Sequence, residues 1–224
     1  MMKNSILFLS LLIALSACKQ KNTAAPEKEA AELNILDKVA MAHGYENWNK
    51  VNEIRFTFNV DRDTNHFERT WIWKVKKGEV TRYQAGDTVS YQRKDMDPLM
   101  YEVNGGFIND KFWLMVPYNL VWDRDNFTYE HQNEAVAPLS GKPMQKLTIV
   151  YGSEGGYTPG DAYDLYFGDD HILQEWVFRK SNQAEPSLMT TWEDYATLNG
   201  LVISKTRKND NPSYKLYFSD LAVD

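Results

Sequence analysis

Val51-Asn52-Glu53-Ile54-Arg55-Phe56-Thr57-Phe58-Asn59-Val60-Asp61 is the stretch that decides the fold. Ile54, Phe56, Phe58 and Val60 alternate with Arg55, Thr57, Asn59 and Asp61. Successive side chains of a strand point to opposite faces, so this period of two predicts a strand with one buried face. Downstream the period holds. Trp71, Trp73 and Val75 alternate with Thr70, Ile72 and Lys74, Lys77-Gly78 breaks the run, and Val80 to Gln84 and Thr88 to Gln92 flank Ala85-Gly86-Asp87. Short strands joined by turn residues predict an antiparallel meander.

Further on, Phe107 to Trp122 is dense in aromatic residues and shows no alternation. Asn109-Asp110 is a capping signal and Pro117 a stop, so the stretch predicts a short amphipathic helix ending near Val116 and lying over the sheet. Strand periodicity then returns in Phe127 to His131, Gln145 to Tyr151, Tyr163 to Phe167, Ile172 to Phe178, Thr190 to Tyr195, Leu201 to Lys205 and Tyr214 to Phe218. Gly168-Asp169-Asp170-His171 and Asn199-Gly200 are hairpin turns. The total is about ten or eleven strands without βαβ alternation, which is mainly antiparallel β, an α+β class.

Upstream, Glu29 to His43 carries Ala31, Ile35, Val39 and Ala42 at helical spacing, with Gly44 as its stop. Residues 19 to 28 are small and polar and read as a tether. Before them Lys3 precedes an apolar run, Ile6 to Leu15, which is shorter than the ~20 residues a spanning helix needs. A charged start, a short apolar core and small residues describe an export signal. Its end, Leu15-Ser16-Ala17-Cys18, resembles the lipobox of bacterial lipoproteins, which implies cleavage after residue 17 and lipidation (palmitate or a similar acyl chain) of Cys18. The expected organisation is a signal peptide over 1–17, a flexible tether over 18–28 and a single domain over 29–224. Cys18 is the one cysteine, so no disulfide forms within the chain.

The composition, 43% hydrophobic and 13% aromatic, supplies a packed core. The formal charge is −6, and loss of Lys3 with the signal takes it to −7. With no run of Lys or Arg, this argues against nucleic acid as a partner.

Residues able to carry chemistry are sparse. His43, His66, His131 and His171 lack metal-ligand spacing, and no metal or cofactor is expected. Ser153 lies in Gly152-Ser153-Glu154-Gly155-Gly156, a glycine-rich loop without the Gly-x-Ser-x-Gly elbow. Asp169-Asp170, with Asp161 and Asp164, lacks the calcium-loop pattern and fits a turn. Glu193-Asp194 is a carboxylate pair, but neighbours on a strand face opposite ways. No catalytic residue emerges, and the chain reads as a non-enzyme. The seven tryptophans fit either core packing or the lining of a ligand cleft.

In layout the chain resembles the LolA/LolB/LppX-like lipoprotein carriers and sorting proteins of the bacterial outer membrane. The resemblance rests on Ala42 to Trp48 closing the first helix, Val51 to Phe58, the apolar insert, Tyr163-Asp164-Leu165-Tyr166-Phe167-Gly168-Asp169-Asp170-His171-Ile172-Leu173-Gln174-Glu175-Trp176, and Trp192 to Ser204. It implies an unclosed β half-barrel with the helices as a lid and a concave face that holds acyl chains or another amphiphile. The expected cleft residues are Ile54, Phe56, Phe58, Trp71, Trp73, Leu165 and Phe167 from the sheet, with Phe112, Trp113 and Val116 from the lid. In that group an early-strand arginine bonds to the lid, and Arg55 is the expected counterpart. The resulting expectation is a monomeric, lipid-anchored binding protein of the cell envelope, at the outer membrane and facing the periplasm. It would hold a hydrophobic ligand as carrier, receptor or sensor. The alternatives are an envelope interaction module, structural or regulatory, that binds a partner by edge-strand addition, and a carboxylate-dependent hydrolase.

Overall fold

Two sheets share one helix between them. In this computed structural model, which describes residues 33–224, the chain runs through α1 (Ile35–Ala42), β1 (Glu53–Arg62), β2 (Asn65–Lys74), β3 (Glu79–Gln84) and β4 (Asp87–Gln92). It continues through α2 (Tyr101–Trp122), β5 (Phe127–Val136), β6 (Pro143–Tyr151), β7 (Ala162–Phe167) and β8 (Leu173–Arg179). The last four strands are β9 (Leu188–Thr191), β10 (Glu193–Leu198), β11 (Leu201–Lys208) and β12 (Tyr214–Val223). The signal segment 1–17, Cys18, the tether 18–28 and the first residues of the expected N-terminal helix lie outside the described residues.

The first sheet has the order β10-β11-β12-β1-β2-β3-β4 and the second β5-β6-β7-β8-β9, and all the pairs are antiparallel. Only Trp192 separates β9 from β10. Its N–H donates to the Gln174 carbonyl, and the Lys208 N–H donates to Thr191 Oγ1, so one bent strand carries the chain from one sheet into the other. Counted that way there are eleven strands, within the range read from the sequence. The edges β4 and β5 stay apart, and α2 connects them. The result is the unclosed half-barrel with a helical cover.

The alternation read from residues 54 to 60 sets the concave face. Phe56 lies opposite Trp71, and Ile54 opposite Trp73, which in turn faces Val80. In the second sheet the inward rungs are Leu147–Leu165–Trp176 and Ile149–Tyr163–Phe178. α1 is capped by Asn34, whose side chain accepts from the Asp37 N–H at 3.0 Å. It ends at Gly44, where φ is +82° and a Cβ would run into the Gly200 carbonyl, so only glycine fits.

The central helix departs from expectation. It spans 22 residues instead of stopping near Val116, and Pro117 sits inside it. Proline removes the N–H that would bond the carbonyl four residues back, that of Trp113. Arg207 fills the gap, donating from Nη2 to the Trp113 carbonyl at 2.8 Å, and the helix kinks at Met115 (φ −123°, ψ 24°) instead of ending. Nor is the helix amphipathic. From Phe107 to Leu120 it is buried on most sides, because the half-barrel clasps it. Strand β5 likewise runs to Val136, five residues past the expected end.

Candidate functional site

Of the ten expected cleft residues, nine are packed into two cores on either side of α2. Ile54, Phe56, Phe58, Trp71 and Trp73 lie against Phe107, Leu114, Met115 and Tyr118. Leu165 and Phe167 lie with Phe112 and Val116 against Leu36 and Val39 of α1. All nine are at most 7% exposed. Trp113 touches both cores and is the one of the ten that also lines an open cavity.

The front half of α2 is latched to the first sheet. Asp110 has no exposure, and its carboxylate accepts from Arg69 Nε, from Arg69 Nη2 at 2.7 Å and from Trp71 Nε1 at 2.8 Å. Arg69 also reaches the Gly106 carbonyl. Arg69 therefore makes the early-strand arginine contact expected of Arg55. Arg55 is on the opposite face of the sheet, exposed, beside Thr70, Ile72 and Tyr83. The sequence carried the signal, since Arg69 has the same parity as Trp71 and Trp73 and so points inward.

The cavity lies between α2 and the second sheet, with a volume of about 420 Å³. That falls inside the ~300–1,000 Å³ common for small-molecule sites. Its greasy wall is a rung of three paired residues, Tyr163, Phe178 and Leu188, together with Trp176 and Trp113. The Trp113 and Trp176 rings meet edge-on at 4.5 Å, and Tyr163 stacks on Phe178 at 5.2 Å. Tyr157 closes one side. It comes from the glycine-rich loop around Ser153, stacks flat on Phe112 at 3.6 Å and donates to Asn109 Oδ1 at 3.2 Å. Gly156, at φ +71°, lets the loop cross tightly over the Tyr151 ring. The polar lining is Arg62, Asn109, Thr158, Asp161 and Ser187. Burial raises the pKa of the Tyr157 and Tyr163 phenols well above the ordinary value, so both are neutral donors.

A second hollow of similar size, about 430 Å³, lies on the outer face of the same sheet. Its walls include Glu130, Lys146, Thr148, Asp164 and Arg179, which are charged or polar and partly bonded to one another. The inward cavity alone of these two offers a largely aromatic wall. Alternation in the sequence marks Tyr163, Trp176 and Phe178 as strand residues, while Arg62, Tyr157 and Leu188 fall outside the runs it marks. Parity along β1 and β8 would have turned Arg62, Trp176 and Phe178 inward. Nothing in the glycine-rich loop announces that its tyrosine folds back onto the helix.

Glu193, Asp194, Asp170 and His43 are each engaged structurally. Glu193 pairs with Lys208 and Asp194 with Lys205, in different directions off the strand. Asp170 accepts from the Ile172 N–H, as a turn residue does. His43 is buried, with Nδ1–H donating to the Val39 carbonyl at 2.8 Å, and burial pulls its pKa down to about 4.

No protein-family model and no curated protein sequence matches the chain. Among solved structures the chain is similar to a DUF1329 family protein from Desulfovibrio piger, at 11% identity and a TM-score of 0.48, covering 85% of this chain and 92% of that one. It is also similar to the LolA superfamily protein NE2245 from Nitrosomonas europaea, at 9% identity and a TM-score of 0.48, with the same coverage. The likeness is one of fold.

Proposed function

We propose that this protein shelters an apolar chain, an acyl tail or that of a similar amphiphile, in the cavity between α2 and the second sheet. It does so as a binding protein and without bond chemistry. The observation that carries this reading is the largely aromatic wall of Trp113, Tyr163, Trp176, Phe178 and Leu188 around about 420 Å³ of open volume. Burial of apolar surface there contributes ~25 cal/mol per Å². The latch Arg69–Asp110 holds the front of α2 against the first sheet, and the cavity opens on the other side of that helix. In this reading the protein is exported, tethered through Cys18 by a flexible segment over 18–28, and faces the periplasm from the outer membrane.

Two measurements test it. Native mass spectrometry of the purified protein, followed by solvent extraction, detects a bound amphiphile; protein that arrives empty and takes up no fluorescent fatty acid refutes the reading. Growth with labelled palmitate labels the wild-type chain and not Cys18→Ala; equal labelling of both refutes the anchor.

A further inference from the structure

The concave face of the first sheet carries several arginines. Arg69 is paired with Asp110, Arg82 with Asp87, and Arg207 donates to the Ser204 hydroxyl and the Trp113 carbonyl. Arg62 differs. It ends β1 with the inward parity of Phe58 and Val60, and its side chain has no carboxylate partner and no hydrogen bond among the described residues. The Tyr214 ring, 5.8 Å away, is its one described neighbour of note. Arg62 lines the aromatic cavity, and the one carboxylate in the lining, Asp161, is already held by the Thr158 hydroxyl and the Ser181 N–H. The site therefore offers one exposed, unpaired cation beside a greasy wall.

Resting on the proposed function of this cavity, we infer that its ligand is an amphiphile with an anionic head, whose carboxylate or phosphate pairs with Arg62 while its tail lies against Trp113 and Trp176. A guanidinium forks onto both kinds of oxyanion, so the chemistry of recognition is shared.

The test titrates the delipidated protein with dodecanoate, dodecyl phosphate, dodecanol and dodecyltrimethylammonium, each below its micellar concentration at pH 8. Arg62→Gln weakens dodecanoate, dodecyl phosphate or both about threefold to tenfold, and leaves dodecanol unchanged; Arg62→Lys retains most of the affinity. Loss for only one of the two anions names the head group as carboxylate or phosphate. Anion binding unaltered by Arg62→Gln, or tightest binding by the ammonium probe, overturns the head-group assignment and leaves the cavity standing. No binding of any of the four probes overturns the cavity reading and the assignment with it.

Discussion

Asp110 and His43 show how much a single buried polar group decides here. Asp110 is a carboxylate with no exposure that takes three donors from Arg69 and Trp71. Asp110→Asn keeps the shape and removes the charge, leaving Arg69 without its counter-ion. Breaking one side of a buried pair costs about 3 kcal/mol, read as a lower urea midpoint, whereas Arg69→Met with Asp110→Leu regains most of that loss. His43 is neutral, with Nδ1–H on Val39 and Nε2 facing the Leu173 N–H. Its pKa falls to about 4 from 6.5, mainly through burial, so protonation is harder in the folded chain than in the unfolded one. The contribution to stability is complete above pH 6.5 and is lost as pH falls toward 4, up to about 3 kcal/mol. Nuclear magnetic resonance should find the ring still neutral at pH 5, and a midpoint near 6.5 would contradict its burial. Both residues were visible in the sequence, but their roles were not. A helical Asp and an inward Arg 41 positions apart meet only once the half-barrel curls around the helix.

At the scale of the element, α2 is where local rules and tertiary context disagree. A proline in a regular helix interior costs ~3 kcal/mol, so its removal would ordinarily stabilise. Here the carbonyl that Pro117 frees is an acceptor for Arg207, whose guanidinium is fully buried and lies 3.4 Å from the Trp192 ring. Pro117→Ala hands that carbonyl a helical N–H and takes a bond from a buried cation. The expected result is destabilisation by about 1–3 kcal/mol in chemical denaturation; a gain of similar size would show that Arg207 is indifferent to the kink. The strands were legible because alternation is a local signal: β1, β7 and β8 stand close to where it put them, while β2 starts at Asn65, five residues before the run read from Thr70. The length of α2 was not legible, because the side chain that takes the carbonyl freed by its proline, Arg207, lies 94 residues downstream of that carbonyl's residue, Trp113. The same holds for the cleft. Inward parity selected the large apolar residues of β1, β2 and β7, yet α2 packs onto those, and the open volume lies one rung over, at Tyr163, Phe178 and Leu188.

For the whole molecule, an unclosed half-barrel covered by the helix that joins its own two edges leaves about 420 Å³ open between that helix and the second sheet. Affinity for straight-chain fatty acids should rise with length while methylenes still find wall. At ~0.8 kcal/mol per methylene, each one tightens Kd about fourfold, until the cavity is full and the trend flattens. Calorimetric titration over eight to sixteen carbons reads the slope and the plateau, and a flat series would place the tail outside the protein. The most direct test is uptake of a fluorescent fatty acid by the delipidated wild-type protein beside Leu188→Trp, which adds a ring where the cavity wall is half-exposed and leaves both cores untouched. The wild-type chain should take up about one probe and Leu188→Trp at least tenfold less, with the unfolding midpoint preserved. Equal uptake by both proteins, or none by either, would contradict binding in this cavity.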